Sequence, residues 1–133
     1  MQRKNISSGT PWEESVGYSR AVRVGSYLEV SGTVATAANG DVIGEDGAEQ
    51  TRVILEKIKL AIEQAGGSLS DVVRTRIFVT DISQWEAIGK VHGEFFRDIK
   101  PAATMVEVSR LIDVSCLVEI EASAVVYDES DGA

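Results

Sequence analysis

The sequence predicts one α+β domain of two layers, with two helices packed on one face of a sheet of four to five strands. Two patterns carry this prediction. Apolar residues recur at spacings of three and four in two segments, which is typical of helices with one buried side. Five shorter segments alternate between apolar and polar residues, which is typical of strands with one buried face. In chain order the elements are β-β-α-β-α-β-β, and the sequence contains no internal repeat or linker.

The length and charge of the chain limit the classes of function. We treat residues 1–133 as one domain, with 1–15 as an N-terminal extension and 128–133 as a flexible tail. Thirteen basic and 21 acidic residues give a formal net charge of −8. This charge disfavours nonspecific binding to nucleic acid or to anionic membranes, because such binding needs Lys and Arg to neutralise phosphates.

The cysteine and histidine counts exclude two further kinds of site. Cys116 is the only cysteine and His92 the only histidine, so an intramolecular disulfide is impossible and a Cys/His zinc site in a single chain is strongly disfavoured. We therefore expect no metal and a reducing compartment. The sequence contains no apolar run of the ~18 residues that a membrane span needs, and no secretory signal follows the basic N-terminus. A cytoplasmic location is the expectation.

The first third of the chain predicts a β-hairpin. Segments 19–24 and 27–33 alternate, and Gly25-Ser26 provides a two-residue turn between them. Residues 1–15 are polar, with an extended or loop conformation expected. Trp12 is a large apolar side chain in this polar stretch, and it either packs over the edge of the core or lines a pocket.

The two helices are predicted from their apolar stripes. The first spans 48–65 and ends at Gly66-Gly67, where glycine suits a left-handed C-cap. Its buried stripe is expected to be Thr51, Ile54, Leu55, Ile58, Ala61, Ile62 and Ala65. The second helix runs to about residue 98 and begins with a capping-box pattern, Ser83 with Glu86 three residues later. Its stripe is expected to be Ile88, Val91, His92, Phe95 and Ile99.

The remaining strands are predicted at 72–80 and at two places within 101–126. In the first, Val73, Thr75, Ile77 and Val79 are expected on one face, with Arg74, Arg76 and Phe78 on the other. In the second, Thr104, Val106 and Val108 share a face opposite Met105, Glu107 and Ser109. In the last, Val118, Ile120, Ala122, Ala124 and Val126 oppose Leu117, Glu119, Glu121, Ser123 and Val125.

If both helices cover the apolar face, the other face of the sheet is bare. It is expected to carry Tyr27, Glu29, Arg74, Arg76, Phe78, Met105, Glu107, Glu119 and Glu121. Aromatic, apolar and oppositely charged groups in this mixture favour an oligomer interface with paired charges and with clefts between subunits. The alternative is a plain sheet face in contact with solvent.

Motifs along most of the chain, from about residue 16 to 126, resemble the Rid/YjgF family, also called L-PSP endoribonucleases or reactive-intermediate deaminases. The motifs are Tyr18 with Ala21-Val22 and Gly25, Val30-Ser31-Gly32, Gln50-Thr51, Ala65-Gly66, Asp71-Val72-Val73, Phe78-Val79 with Asp81, Lys100-Pro101-Ala102, Val106-Glu107-Val108 with Arg110-Leu111, and Val118-Glu119-Ile120-Glu121-Ala122. The resemblance implies a chorismate-mutase-like fold. It also implies a homotrimer whose sheets line a central barrel, with sites in the clefts between subunits.

The resemblance implies hydrolysis of imines or enamines released by pyridoxal-phosphate enzymes to 2-keto acids and ammonia, without a cofactor. In that branch an arginine binds the substrate carboxylate in a bidentate way, and a glutamate positions the attacking water. The glutamate corresponds to Glu119. The tyrosine and the Ser-Gly pair that complete the pocket correspond to Tyr18 and Ser31-Gly32.

Other positions depart from the family pattern. Ala103 stands where the family has the arginine, and Met105 where it often has a cysteine. Gly89 stands at an asparagine position and His92 at an aromatic one, and Trp85 on the same helix completes the predicted ligand-binding set. A carboxylate without a cation is poorly bound in a partly buried cleft. Deamination of ordinary 2-imino acids is therefore expected to be weak or absent.

Several alternatives stay open from the sequence alone. Glu119 is either a general base or an interface carboxylate. Tyr18 is either a pocket wall or sheet-edge packing, and His92 lines the pocket or packs in the core. A cation that replaces the arginine missing at position 103 is either absent or supplied by Arg74, Arg76 or Arg110.

We expect a hydrolase of a small imine, enamine or amide. The alternative is a non-catalytic trimer that binds a small metabolite or a partner protein. An endoribonuclease is disfavoured by the net charge of −8.

Overall fold

The computed structural model describes residues 2–127 and has the predicted two-layer α+β architecture. Its elements are β1 (Arg3–Ile6), α1 (Pro11–Val16), β2 (Ala21–Val24), β3 (Tyr27–Val34), α2 (Gly47–Gln64), β4 (Val72–Val79), α3 (Trp85–Phe96), β5 (Ala102–Glu107) and β6 (Val118–Val125). They form one sheet in the order β1-β2-β3-β6-β4-β5. Only β4 and β5 pair in parallel. The tail predicted at 128–133 lies outside the described residues.

The helices α2 and α3 cover one face of the sheet, and the core lies between the two layers. The stripe predicted for the first helix is confirmed, since all seven of its residues are buried. The Asp46 carboxylate caps α2 by accepting from the Glu49 N–H at 2.8 Å. Gly66 follows the helix with φ +88°, the left-handed conformation that favours glycine at a helix end.

The start of α3 differs from the prediction. The helix begins at Trp85, after a 3₁₀ turn over Ile82–Gln84, so Ser83 does not occupy the N-cap position. Instead the Asp81 carboxylate accepts from the N–H and the hydroxyl of Ser83, at 3.0 and 2.6 Å. The predicted capping box of Ser83 and Glu86 is therefore wrong, because the aspartate two residues upstream satisfies this turn.

The N-terminal residues contain more regular structure than the polar composition indicates. Residues 3–6 pair antiparallel with β2 as a sixth strand, at one edge of the sheet. The buried Glu13 of α1 accepts hydrogen bonds from the Ser8 N–H and hydroxyl and from the Thr10 hydroxyl. Trp12 is 65% exposed, so it does not pack over the core edge of this chain.

Two β-bulges change which side chains face the helices. In β3, both Ser31 and Gly32 oppose Glu121, because Val30 pairs with Ala122 but Thr33 pairs with Ile120. In β4 the extra residue is Val73.

The prediction that Val73 shares a face with Thr75 is wrong. Val73 is 47% exposed, whereas Val72 is buried in its place. Strict alternation cannot reveal an inserted residue, since it assumes an unbroken ladder.

The face of the sheet away from α2 and α3 is called the open face here. It carries Tyr27, Glu29, Arg74, Arg76, Phe78, Thr104, Val106, Glu119, Glu121 and Ser123. Met105 and Glu107 were predicted on this face, and that prediction is wrong. Met105 lies beside Ile77 in the parallel β4–β5 register and packs against the core. Alternation groups the residues of a strand correctly, but it leaves open which group faces the helices.

Candidate functional site

The predicted residues Tyr18, Ser31, Gly32 and Glu119 form what we call the first group. Tyr18 lies just before β2, Ser31 and Gly32 form the bulge of β3, and Glu119 is the second residue of β6. A Cβ atom built on Gly32 would lie 2.5 Å from Oε2 of Glu119. Glycine at position 32 therefore leaves the space that the Glu119 carboxylate occupies on the open face.

Glu119 is half-buried and its charge is incompletely compensated. Burial raises the pKa of its carboxyl above the ordinary value, the nearby Glu121 carboxylate raises it further, and Arg20 opposes both effects. In the part of the chain that the structure describes, no Lys, Arg or His nitrogen lies within 4.0 Å of this carboxylate. A carboxylate with a raised pKa and without an ion-pair partner is suited to accept a proton at neutral pH.

Arg20 is a member of the site that the sequence reasoning missed. One guanidinium nitrogen, Nη2, donates to the carbonyl oxygen of Gly32 at 2.7 Å, and the guanidinium carbon lies 5.9 Å from the centroid of the Tyr18 ring. The alternation of segment 19–24 is the sequence signal that could have identified it. Arg20 lies two residues before Val22, so alternation places both on the face opposite the buried Ala21.

The backbone around Tyr18 is fixed by short hydrogen bonds. The Ser31 hydroxyl donates to the Ser19 carbonyl at 2.6 Å, and the Tyr18 N–H donates to the Glu13 carbonyl at 3.0 Å. An open groove of about 410 Å³ runs along this region, lined by Arg3, Asn5, Glu13, Gly17, Tyr18, Ser19, Val22 and Ser31. Glu119 does not line this groove, which therefore contains Tyr18 and Ser31 but not the carboxylate.

Trp85, Gly89, His92, Ala103 and Met105 form what we call the second group. The first three recur along α3 at helical spacing, and the other two lie on the helix-facing side of the edge strand β5. Trp85 is 55% exposed, and nothing lies within 4 Å of a Cβ built on Gly89. Ala103 is exposed and offers no charge. The group is therefore an open, uncharged surface at the sheet edge.

His92 lies deeper than the other members of the second group. Its Nε2 shares a hydrogen bond of 2.9 Å with the hydroxyl of Thr75, which is the in-register neighbour of Ala103. Its ring lies 4.6 Å from that of Phe96, and burial lowers the pKa of the imidazole. These contacts favour a neutral histidine that packs between α3 and the sheet.

The arginines considered as replacement cations do not lie beside Ala103. Arg74 donates to the Thr104 hydroxyl at 2.6 Å, and Arg76 pairs with Glu121 at 3.5 Å, both on the open face. Arg110 is exposed in the connection after β5. Within a single chain, the face opposite Ala103 therefore holds Arg74 and Arg76.

The two groups do not converge within one chain. The Glu119 side chain lies on the open face, whereas Ala103 and Met105 face the helix layer on the other side of β4. A ligand that contacts members of both groups would require residues from a second chain.

Two kinds of site are absent from residues 2–127. No cluster of three or more His, Cys, Asp or Glu side chains there could hold a metal ion. Within the same residues, no helix is both long and apolar enough to cross a membrane.

Comparison with known proteins identifies the family. The family model for Endoribonuclease L-PSP matches residues 11–126. The chain belongs to this family, which is the Rid/YjgF family. Rv2704 of Mycobacterium tuberculosis, a member of the YjgF/YER057c/UK114 family, superposes with a TM-score of 0.87 at 50% identity, covering 94% of this chain and all of that one.

Other similar proteins match nearly the whole length of the chain. The 3-aminoacrylate deaminase RutC of Acinetobacter baylyi is 37% identical over 90% of this chain and 94% of its own. An uncharacterized protein of Streptomyces coelicolor is 38% identical over 91% and 90% of the two chains. TdcF of E. coli, solved with bound serine, has a TM-score of 0.77 at 28% identity, covering 92% and 94%.

Proposed function

We propose that this Rid/YjgF protein is a hydrolase that deaminates a small imine or enamine, with Glu119 as the general base. The observation that carries the proposal is the half-buried, unpaired Glu119 carboxylate with its raised pKa, held against Gly32 and near Arg20. The name of the RutC relative, a 3-aminoacrylate deaminase, supports this class of reaction.

In the proposed reaction, Glu119 takes a proton from a water molecule as the water oxygen attacks the C=N carbon. The imine nitrogen takes up a proton from solvent as the carbinolamine forms. Protonated Glu119 then gives its proton to the amine nitrogen, the C–N bond breaks, and the hydroxyl proton returns to solvent as ammonia leaves with a carbonyl product. An enamine reacts after tautomerisation to the imine. The balance is one water consumed and one ammonia released, so the reaction requires neither metal nor organic cofactor. Burial and the Glu121 carboxylate raise the pKa of Glu119, which makes its carboxylate a better acceptor of the water proton.

We further propose that the active form is a homotrimer with its sites in the clefts between subunits. The open face, which combines exposed Tyr27 and Val106 with the Arg76–Glu121 pair, has the composition of a subunit interface. The separation of the first and second groups also supports this arrangement, because a second chain would supply the missing wall. Light scattering of the purified protein tests the trimer, and a monomer at micromolar concentration would contradict it.

The hydrolase proposal is tested by ammonia release from a panel of imines and enamines generated in situ. The wild type is expected to release ammonia faster than the uncatalysed reaction, and Glu119→Gln to lose about 100-fold or more in kcat/KM. Glu56→Gln is the matched control, because Glu56 is exposed on α2. If no compound of the panel turns over, or if the two variants behave alike, the proposal is wrong.

The second candidate is a non-catalytic trimer that binds a small metabolite or a partner protein. The neutral Ala103 and the hydrogen-bonded His92 favour it, since neither supplies a catalytic or charged group to the second group. Ligand-dependent thermal stabilisation without turnover would support this candidate. An RNA-cleaving role is disfavoured by the net charge of −8.

A further inference from the structure

Arg20 is half-buried, yet few of its hydrogen-bonding groups are used. A guanidinium carries five N–H donors, and here one hydrogen bond is formed, from Nη2 to Gly32. The Nε atom is buried without any partner. Between residues 2 and 127, two ion pairs of 4.0 Å or less occur, and neither includes Arg20. A cation removed from water without an anion is unfavourable, and a bound anion would offset that cost.

Other arginines of the described chain have different partners from Arg20. Arg23 donates to two backbone carbonyls, at 2.8 Å each, and joins the β2–β3 turn to the end of α2. Arg52 pairs with Glu94 on the outer surface of the helices. Arg3 and Arg74 donate to Asn5 and Thr104, and Arg76 pairs with Glu121. Arg20 is the arginine that donates to Gly32 of the first group.

We propose that Arg20 is the specificity-determining residue of this site and binds a small carboxylate-bearing ligand. This inference rests on the proposed function, since it assigns a ligand class to the same site. The hydrogen bond to Gly32 and the Tyr18 ring fix the guanidinium, so less side-chain entropy is lost when an anion binds. The remaining N–H groups match the geometry of a carboxylate.

The position of Arg20 also resolves a charge conflict. A ligand carboxylate near Glu119 would be repelled by it, and Glu121 adds to this repulsion. Arg20 attracts both the Glu119 carboxylate and a ligand carboxylate, so it permits the two anions to occupy one site. The cation is thereby supplied from the β2 side of the site, whereas the second group at β5 stays neutral at Ala103.

The experiment compares binding of pyruvate and of its uncharged analogue pyruvamide to the full chain, by ligand-observed NMR titration. The wild type is expected to bind pyruvate at least tenfold more tightly. Arg20→Gln is expected to lose about tenfold in pyruvate affinity, which corresponds to about 1.4 kcal/mol, and to leave pyruvamide unchanged. Arg20→Lys retains the charge without the planar fork, so it is expected to fall between the two.

Arg52→Gln is the control, because it removes the same charge from the outer helix surface. Its pyruvate affinity is expected to equal that of the wild type. The inference is overturned if the wild type binds neither compound or does not prefer pyruvate. It is also overturned if Arg20→Gln binds pyruvate normally or weakens both compounds equally. Thermal melting and light scattering of each variant establish that the fold and assembly are retained.

Pyruvate binding needs no turnover, so this inference and the hydrolase proposal can fail separately. Glu119→Gln is expected to bind pyruvate at least as tightly as the wild type, because it removes a negative charge from the site. Ammonia release with Arg20-independent pyruvate binding would overturn only the role of Arg20. Arg20-dependent binding without ammonia release would overturn only the hydrolase.

Discussion

Replacing Gly32 with alanine tests the first group with a single methyl group. The new Cβ would lie 2.5 Å from Oε2 of Glu119 and 3.1 Å from its Cδ. Ordinary van der Waals contact begins at 3.4 Å, so the carboxylate oxygen must retreat by about 0.9 Å. A displacement of about 1 Å at a catalytic group costs on the order of 100-fold in rate, and we expect kcat/KM for ammonia release to fall by that factor.

The same substitution should leave the fold nearly unchanged. Gly32 does not have a positive φ, so alanine meets no backbone strain there. The atoms in its way belong to the end of the flexible Glu119 side chain. Gly→Ala at a compatible position stabilises by about 0.4–1 kcal/mol through the unfolded state. The free energy of unfolding is therefore expected to change by less than about 1 kcal/mol.

The assay measures kcat/KM together with the melting temperature, and Gly93→Ala is the control. Nothing lies within 4 Å of a Cβ built on Gly93 in α3, so this variant should be stabilised by about 0.5–1 kcal/mol with normal activity. If Gly32→Ala keeps activity within threefold of the wild type, the role given to the Glu119 position is refuted. A melting temperature that falls as sharply as the activity would likewise contradict the reasoning, because it would indicate a structural effect.

Four further predictions concern groups in and around the site. Gln50→Leu should destabilise the chain by about 2–3 kcal/mol in denaturant titrations. The buried amide forms three hydrogen bonds with backbone groups, one at Gly44 before α2 and two at Ser115 and Leu117 before β6. Thr75→Val should cost about 1–2 kcal/mol by leaving His92 without its partner. Burial lowers the pKa of His92 below its unfolded value, so protonation at low pH favours the unfolded state. The difference in stability between pH 8 and pH 5.5 should therefore be smaller in His92→Gln than in the wild type. Because the folded-state pKa of Glu119 is raised, its ionisation opposes folding as pH rises above the unfolded pKa. Glu119→Gln should therefore raise the melting temperature more at pH 7 than at pH 4, and an equal shift at both would contradict this sign.

The sequence predicted the main elements because their signals are local. The stripe of α2, from Thr51 to Ala65, and the alternation of β6 were both confirmed, since 3.6-residue and two-residue periods follow from backbone geometry. The face of Val73 and the orientation of β5 were predicted wrongly. Both depend on the register between neighbouring strands, and the residue pattern of a single strand carries no information about that register.

Some residues of the candidate site were likewise predicted from the sequence, and one was missed. Glu119, Tyr18, Ser31 and Gly32 were selected from the family resemblance, and the structure brings Gly32 against the Glu119 carboxylate. Arg20 was missed because its significance depends on the bulge of β3, which places the Gly32 carbonyl where the guanidinium donates to it. The arginines considered as replacement cations lie in β4 and in the connection after β5, whereas Arg20, whose charge acts on Glu119, immediately precedes β2.

By itself the sequence determined the fold class, the buried faces of α2 and β6, the acidic balance and the family motifs, because each of these depends on residue type and spacing. The tertiary structure decided three things. It joined β1 to the sheet edge, turned Met105 toward the helices, and brought the Arg20 guanidinium to the Gly32 carbonyl at the β3 bulge. The physical reason is that strand order and register arise from packing between distant segments, and a one-residue shift in register moves every side chain of a strand to the opposite face.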